Sequence, residues 1–311
     1  MIVRPATPMF LEQGRVRLTQ LTELVRQEFP RIQFTRATLN DSGEDHVVVV
    51  LDDEWVFRFP RVPEYAVRAA GERRLLEILA TVVCLAIPVY EYVSAAGDFG
   101  GYRIIRGEPL SELRFAGLER AAQERVMGEI ADFLVALHAL PTSILETADV
   151  AHSSGHLSGS DFARRFHDRR SAFAAKLSPT LFNRIDKFYH SLPKAVDSAS
   201  NVLIHGDFTE DHYLLAPTGD RLAGVIDFSD AGRGDPAFDF ASLWAFGDWP
   251  VRYAVRRYSA ATDSGGMIER SLWWFGRYRI DQIWWGLSGA REYDVAKISS
   301  ELPAVFDLLG V

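Results

Sequence analysis

The clearest alternation of apolar and polar positions lies near the amino end. HVVVVL (His46 to Leu51) and WVFRFP (Trp55 to Pro60) are β-branched and aromatic runs separated by Asp52, Asp53 and Glu54, a spacing that predicts two adjacent strands joined by a tight turn. From about Glu64 to Leu79 the apolar period lengthens to that of a helix, with Leu75, Leu76 and Leu79 on one face. IPVYEYV and YRIIRG, joined by AAGDFGG, predict two more strands about a glycine-bearing turn. Residues 1 to 106 therefore read as a strand-rich unit.

After Gly107 the pattern becomes helical. Val126, Ile130, Phe133, Leu134 and Leu137 fall at helical spacing and predict a buried helix, whose His138 is expected to be a packed or hydrogen-bonded core residue. Further helices are predicted over 161–177 and 179–192. The His-, Ser- and Gly-rich stretch from Ala151 to Ser160 reads as a solvated loop, because His152 and His156 have no carboxylate or thiol nearby to complete a metal site. The longest apolar stretch, Ile78 to Val93, is interrupted by Pro88. It is shorter than the ~20 residues a membrane span needs, and so predicts a helix end running into a buried strand. The first residues, MIVRPATPMFLEQGR, hold no continuous apolar segment, so neither a signal peptide nor a membrane anchor is expected and a cytoplasmic location is.

Composition narrows the partners. With 311 residues, 48% of them apolar, the chain can bury one large core or two. A formal net charge of -8 argues against a nucleic-acid surface and leaves room for a cationic substrate. The single cysteine, Cys84, excludes an intrachain disulfide framework; its apolar flanks predict an inert, buried thiol. Lysine occurs only at positions 176, 187, 194 and 297, so arginine carries nearly all the positive charge.

The chemistry concentrates between Val202 and Phe246. YLLAP and LAGVIDF, separated by Thr218, Gly219 and Asp220, predict a second hairpin. Asp207 precedes its first strand and Asp227 ends its second, so strand pairing brings two carboxylates to one end. Convergent acids of this kind suit a metal–nucleotide site, one for Mg²⁺ and one for an attacking hydroxyl. The order His205, Asp207, His212, hairpin, Asp227 is the catalytic-loop and metal-loop order of protein-kinase-like enzymes.

These segments, with GDPAFDFA after them and FLVALH before, resemble the aminoglycoside phosphotransferase superfamily of antibiotic and metabolite kinases. The likeness runs from WVFRFP to the aromatic helices near the carboxyl end. HGDFTEDHYLL with IDFSDAGRGDP is most similar to the aminoglycoside 2″-phosphotransferases, in which a histidine also replaces the usual asparagine; macrolide phosphotransferases share that histidine. The resemblance implies an α+β, bilobal protein-kinase-like fold, with an antiparallel-sheet, nucleotide-binding lobe at 1–106 and a helix-rich lobe at 107–311 carrying the catalytic and metal loops.

By position, the resemblance makes Asp207 the catalytic aspartate and Asp227 a metal ligand. It puts His212 at the second metal position, although Mg²⁺ prefers oxygen. His205 is expected to be a scaffold, and Asp235 and Asp239 caps and braces. Arg58 stands where the family places a lysine for the nucleotide phosphates, with Glu72 as its partner and Glu77 as the fallback. The phosphate-covering loop is Asp41 to His46, with backbone amides around Ser42, Gly43 and Glu44; Glu44 and Asp45 must turn away from phosphate. Ile104 to Gly107, including Arg106, is expected to read the purine of ATP or GTP. Trp244, Trp249, Trp273, Trp274, Tyr278, Trp284 and Trp285 are expected to be mainly core. A subset of these rings, with Asp230, Glu210, Asp211, Asp281 or Glu292, would suit an amphipathic cationic sugar. The leading expectation is an aminoglycoside kinase. Alternatives are a macrolide or amino-alcohol kinase, and a kinase-shaped nucleotide-binding protein without turnover.

Overall fold

Five antiparallel strands form the amino-terminal sheet of the computed structural model, in the order β1 (Ala37–Asn40), β2 (His46–Leu51), β3 (Trp55–Pro60), β5 (Gly100–Arg103) and β4 (Tyr90–Val93). The structure describes residues 18–43, 45–150, 159–191, 201–261 and 265–311; the amino-terminal stretch, Glu44, and the segment with His152 and His156, expected from sequence to be a loop, lie outside the described residues. The three-residue β2–β3 connection places Asp52 and Asp53 in the left-handed region, at φ 50° and 53°, which short polar side chains tolerate. The Asp52 carboxylate accepts hydrogen bonds from the Thr35 and Arg36 amides, fixing the chain that enters β1. As the central strand, β3 is buried at every position.

Helix α1 (Leu18–Glu28) covers one face of the sheet, where Leu21 and Val25 join Val47, Val49, Phe57 and Phe59 in a small core. Helix α2 (Pro63–Leu79) begins on a proline whose missing N–H costs nothing at a helix start. Its Glu72 turns toward β3, while Leu75, Leu76 and Leu79 enter the larger core of the carboxyl-terminal region. The helix thus couples the two regions.

The rest of the chain is mainly helical: α3 (Glu112–Ala116), α4 (Arg120–His138), α5 (Ser143–Thr147), α6 (Gly159–Lys176), α7 (Pro179–His190), α8 (Asp248–Ser259), α9 (Met267–Ser288) and α10 (Val295–Leu309). Val126, Ile130, Phe133, Leu134 and Leu137 of α4 are wholly buried, each contributing about 1.5–3 kcal/mol of transfer free energy. Trp273 and Trp274 are buried in α9. Two small antiparallel sheets carry the motif loops: β6 (Glu108–Pro109), β8 (Tyr213–Leu215) and β9 (Leu222–Val225) in one, β7 (Val202–Ile204) and β10 (Gly232–Gly234) in the other. An eleven-residue 3-10 segment, Pro236–Phe246, follows β10.

Two expectations for Ile78 to Val93 are corrected. Cys84 is exposed, because it lies in the connector after α2, where Val82 also faces solvent. The following strand, β4, is at the edge of the sheet with alternate residues exposed, instead of buried. Among the described residues no helix is long and apolar enough to cross a membrane.

Candidate active site

The HGD loop is held from three directions. Gly206 sits at φ 81°, and a Cβ there would lie 2.1 Å from the Asp230 carbonyl oxygen, so only glycine fits. The fully buried Asp239 carboxylate accepts from the His205 amide (2.7 Å) and the Gly206 amide (3.1 Å). Its outer brace is His138, whose Nε2 donates to Asp239 (3.1 Å) while Nδ1 accepts from the Tyr258 hydroxyl (3.0 Å). The His205 ring acts as a spacer: Nδ1 accepts from the Asp207 amide (3.3 Å) and Nε2 donates to the Ile226 carbonyl (3.1 Å). Burial pushes His205 down to about 4, which keeps this neutral tautomer. Asp235 caps the 3-10 segment by accepting from the Ala237 amide, and also receives Arg270 and the Trp274 indole.

The hairpin brings the two acids together around one imidazole. His212 Nδ1 is 3.5 Å from Asp207 Oδ2, and its Nε2 is 3.8 Å from Asp227 Oδ2. Asp227 adopts φ 63°, a strained value for a residue with a side chain. Its Oδ1 accepts from Ser229 Oγ (2.9 Å) and Arg58 Nη2 (3.3 Å). Arg58 is buried; its Nη1 is 2.7 Å from Glu72 Oε1, and its Nη2 is 3.2 Å from His46 Nδ1. One guanidinium therefore joins β3, α2 and the loop that carries Asp227.

The environments of the two acids diverge. Burial raises the Asp207 pKa, with His212 opposing. Burial also acts to raise Asp227, but Arg58, then His212 and the Ser229 hydroxyl, outweigh it and hold that carboxyl well below the usual range. His212 is raised because Asp207 and Asp227 together overcome its burial. Carboxylates pushed apart in this way suit an acid/base role for one and a permanent charge for the other.

A cavity of about 990 Å³ opens over these groups. Ser42, Gly43, His46 and Arg58 line it from the sheet side; Asp207, Asp211, His212, Asp227, Asp230 and Asp281 line it from the other. Not every candidate presents a free group. The Ser42 amide and hydroxyl both bond Asn40 Oδ1, and the Gly43 carbonyl accepts from Arg61. The Ile104 amide donates to the Glu54 carbonyl (2.8 Å), and neither Ile104 nor Arg106 lines the cavity. Glu210 is likewise absent from the lining. Asp230 pairs with Arg68 (3.3 Å), and burial followed by the Asp207 charge pushes it up to about 6. Asp281 pairs with Arg169 and with Arg277 (3.3 Å). Trp274, Tyr278 and Trp285 line the cavity.

His46, the end of the expected phosphate-covering loop, lines the cavity through its contact with Arg58, and further lining residues have no motif in the sequence to announce them. Arg68, one helical turn before Glu72, reaches Asp45 Oδ2 (3.2 Å), the Ser229 carbonyl (3.1 Å) and Asp230. Arg165, Arg277 and Arg291 also face the cavity.

The donor set can be tested against Mg²⁺. Among the described residues no group of three or more His, Cys, Asp or Glu side chains could hold a metal ion alone. Asp227 Oδ2 is left open by the bonds on Oδ1, and Asp207 stands across His212. That fits a cation taking one or two carboxylates from protein and the rest of its oxygens from phosphate and water.

Two aspartates brought together across a hairpin, with a buried strand-to-helix ion pair beneath the same cavity, are an arrangement a kinase-like phosphotransferase can use. The chain belongs to the phosphotransferase enzyme family, whose pattern matches residues 36–273. It is 25% identical over 270 residues to uncharacterized protein YcbJ of Bacillus subtilis (strain 168), spanning 81% of this chain and 83% of that one. Among solved structures it is similar to the GDP complex of aminoglycoside 2'-phosphotransferase-IIIa, with a TM-score of 0.80, 24% identity and coverage of 94% and 99%. Macrolide 2'-phosphotransferase type I gives a TM-score of 0.64 at 20% identity, covering 91% and 96%. The mixed fold, sheet first and helices after, is that of these kinase-like enzymes.

Proposed function

We propose that the chain transfers the γ-phosphate of ATP or GTP to a hydroxyl of a small organic molecule. The observation that carries this reading is the placing of the Asp207 and Asp227 carboxylates within 4.0 Å of the same imidazole, at the floor of the cavity. Asp207 orients the acceptor hydroxyl and receives its proton as the new oxygen–phosphorus bond forms. The bond between the γ-phosphorus and the β–γ bridging oxygen breaks, and its electron pair leaves with the nucleoside diphosphate. Asp227 would hold Mg²⁺ together with the nucleotide phosphates, and the ion would supply neutralisation of charge on the phosphate oxygens. His212 sits at the second metal position as the loop's spacer and partial ligand. Arg58, fixed by Glu72, faces the phosphates in the role of the absent lysine. Residues 1–106 act as the nucleotide lobe, and the chain works in the cytoplasm, where its nucleotide is held.

The likeness to an aminoglycoside phosphotransferase makes an aminoglycoside the first acceptor to consider. The carboxylates expected to receive its amines, however, are largely engaged: Asp230 by Arg68, Asp281 by two arginines, with Glu210 off the cavity. These pairings weigh against a polyamine as the acceptor.

The test is nucleoside diphosphate release from ATP and from GTP over a panel of hydroxyl acceptors, with Asp207→Asn as control. Acceptor-dependent release that is lost in the variant supports the reaction. Tight nucleotide binding with no release for any acceptor would instead mark a kinase-shaped binding protein.

A further inference from the structure

One wall of the cavity, built by α6, α9 and the segment from Ala290 to Tyr293, carries Arg165, Arg277 and Arg291. Its acids are Asp281 and Glu292. Asp281 is shared: Arg169 Nη1 binds one carboxylate oxygen, and Arg277 Nη2 lies 3.3 Å from the other. One carboxylate between two guanidiniums leaves a positive charge over. The Arg277 side chain is only 7% exposed, and its Nε has no hydrogen-bond partner. Its guanidinium instead lies near the Phe162, Trp274 and Phe238 rings, at 5.7, 5.6 and 6.0 Å. A buried donor left unpaired is costly, more so when charged, and a ligand anion in the cavity would remove that cost. An ammonium brought to the same wall would meet like charge.

We propose that the acceptor carries an oxyanion, a carboxylate or a phosphate, which docks on Arg277 with Arg165 and Arg291 while its hydroxyl reaches Asp207. Trp274, Tyr278 and Trp285 flank the body between the two ends. This inference rests on the phosphotransferase reading and narrows its acceptor away from polyamines toward hydroxy acids and sugar acids or sugar phosphates.

The experiment compares one carbon skeleton in four charge states, as glucose, glucuronate, glucose 6-phosphate and glucosamine, with kanamycin as a polycation, on the full chain with Mg²⁺ and ATP or GTP. The expected result is a kcat/KM at least about tenfold higher for glucuronate or for glucose 6-phosphate than for glucose. The two anions separate a carboxylate site from a phosphate site. Arg277→Met lowers that ratio about tenfold, and Arg165→Gln, at a half-buried position that leaves the core intact, lowers it severalfold. Preference for glucosamine or kanamycin, or a ratio unchanged in both variants, overturns the inference while leaving the phosphotransferase reading in place. If no acceptor is turned over, the latter reading fails, and tryptophan fluorescence with saturating GDP decides the anion site. Benzoate or phenyl phosphate must then bind more tightly than benzylamine, and lose that advantage in Arg277→Met; equal or weaker anion binding overturns it.

Discussion

His212 donates from Nδ1 to the main-chain oxygen of Asp207 at 2.7 Å, and this bond turns its Nε2 toward Asp227. The ring is thereby fixed between two acids whose charges, outweighing burial, raise its pKa. A protonated imidazole there competes with a divalent cation, and a neutral one is a poorer Mg²⁺ ligand than an oxygen. His212→Asn supplies an amide oxygen without a titrating charge. The Mg²⁺ concentration for half-maximal activity should fall, by about threefold or more. In the parent that concentration should also rise as pH falls and His212 takes up its proton, a trend the variant should lack. A higher Mg²⁺ requirement in the variant would contradict this role.

Asp207 carries the sharpest kinetic prediction. Asp207→Asn removes the proton acceptor but keeps the shape of the loop, whose bonds to His205 and Asp239 are made by main-chain groups. Turnover should drop about 10²–10⁴-fold, with nucleotide affinity by calorimetry within about twofold. The base must be ionised to act, so kcat/KM should rise with pH through the Asp207 pKa. Burial raises that pKa, so the acid limb should lie above the ordinary aspartate value of 3.8 and be absent from Asp207→Asn.

The parts of this site legible in the sequence are those fixed by local order. A hairpin flanked by Asp207 and Asp227 leaves its acids little choice but to meet, and the β3–α2 connection is short enough that Arg58 and Glu72, 14 positions apart, face each other in the buried layer. The cavity wall was not legible for the opposite reason. Asp281 reads as an acid available to a cation until α6 brings Arg169 to it from 112 positions away, and Asp230 reads the same way until Arg68 arrives from 162 positions away. Residue type announces charge, but not which charges the fold has already paired. Cys84 shows the same limit for apolar runs, since its flanks gave no sign of the exposed connector between α2 and β4.

Arg58 and Glu72 provide a test that separates pairing from phosphate contact. Both side chains are nearly inaccessible, at 9% and 3% exposure, so removing one partner strands a buried charge. Arg58→Met should cost about 3–5 kcal/mol in urea unfolding. Adding Glu72→Gln should restore much of that stability, because the most buried of the stranded carboxylates is then gone and Asp227, which also loses Arg58, keeps Ser229 and is more exposed. Activity should follow a different pattern: the double variant should fold yet keep a raised nucleotide KM, since the phosphates have lost their guanidinium. Recovery of normal KM in the double variant would show that Arg58 serves the fold alone.

His46, which shares the Arg58 guanidinium with Asp227, gives the fold an acid-sensitive point. It is 5% exposed, with Nδ1 accepting from Arg58 Nη2 at 3.2 Å and Nε2 without a partner. Burial, reinforced by the Arg58 charge, lowers its pKa from 6.5 to about 3. Above pH 6.5 the residue is neutral in both the folded and unfolded chain and has no effect on the balance. As pH falls below 6.5 the unfolded chain takes up a proton that the folded chain refuses until about 3, so stability declines through this window. Between pH 6.5 and pH 5 the loss should reach about 1.6 kcal/mol. His46→Asn keeps an acceptor for Arg58 and cannot titrate, so its urea midpoint should decline less over the same interval by that amount. Parallel declines in the two proteins would mean that the folded chain protonates His46 as readily as the unfolded one does.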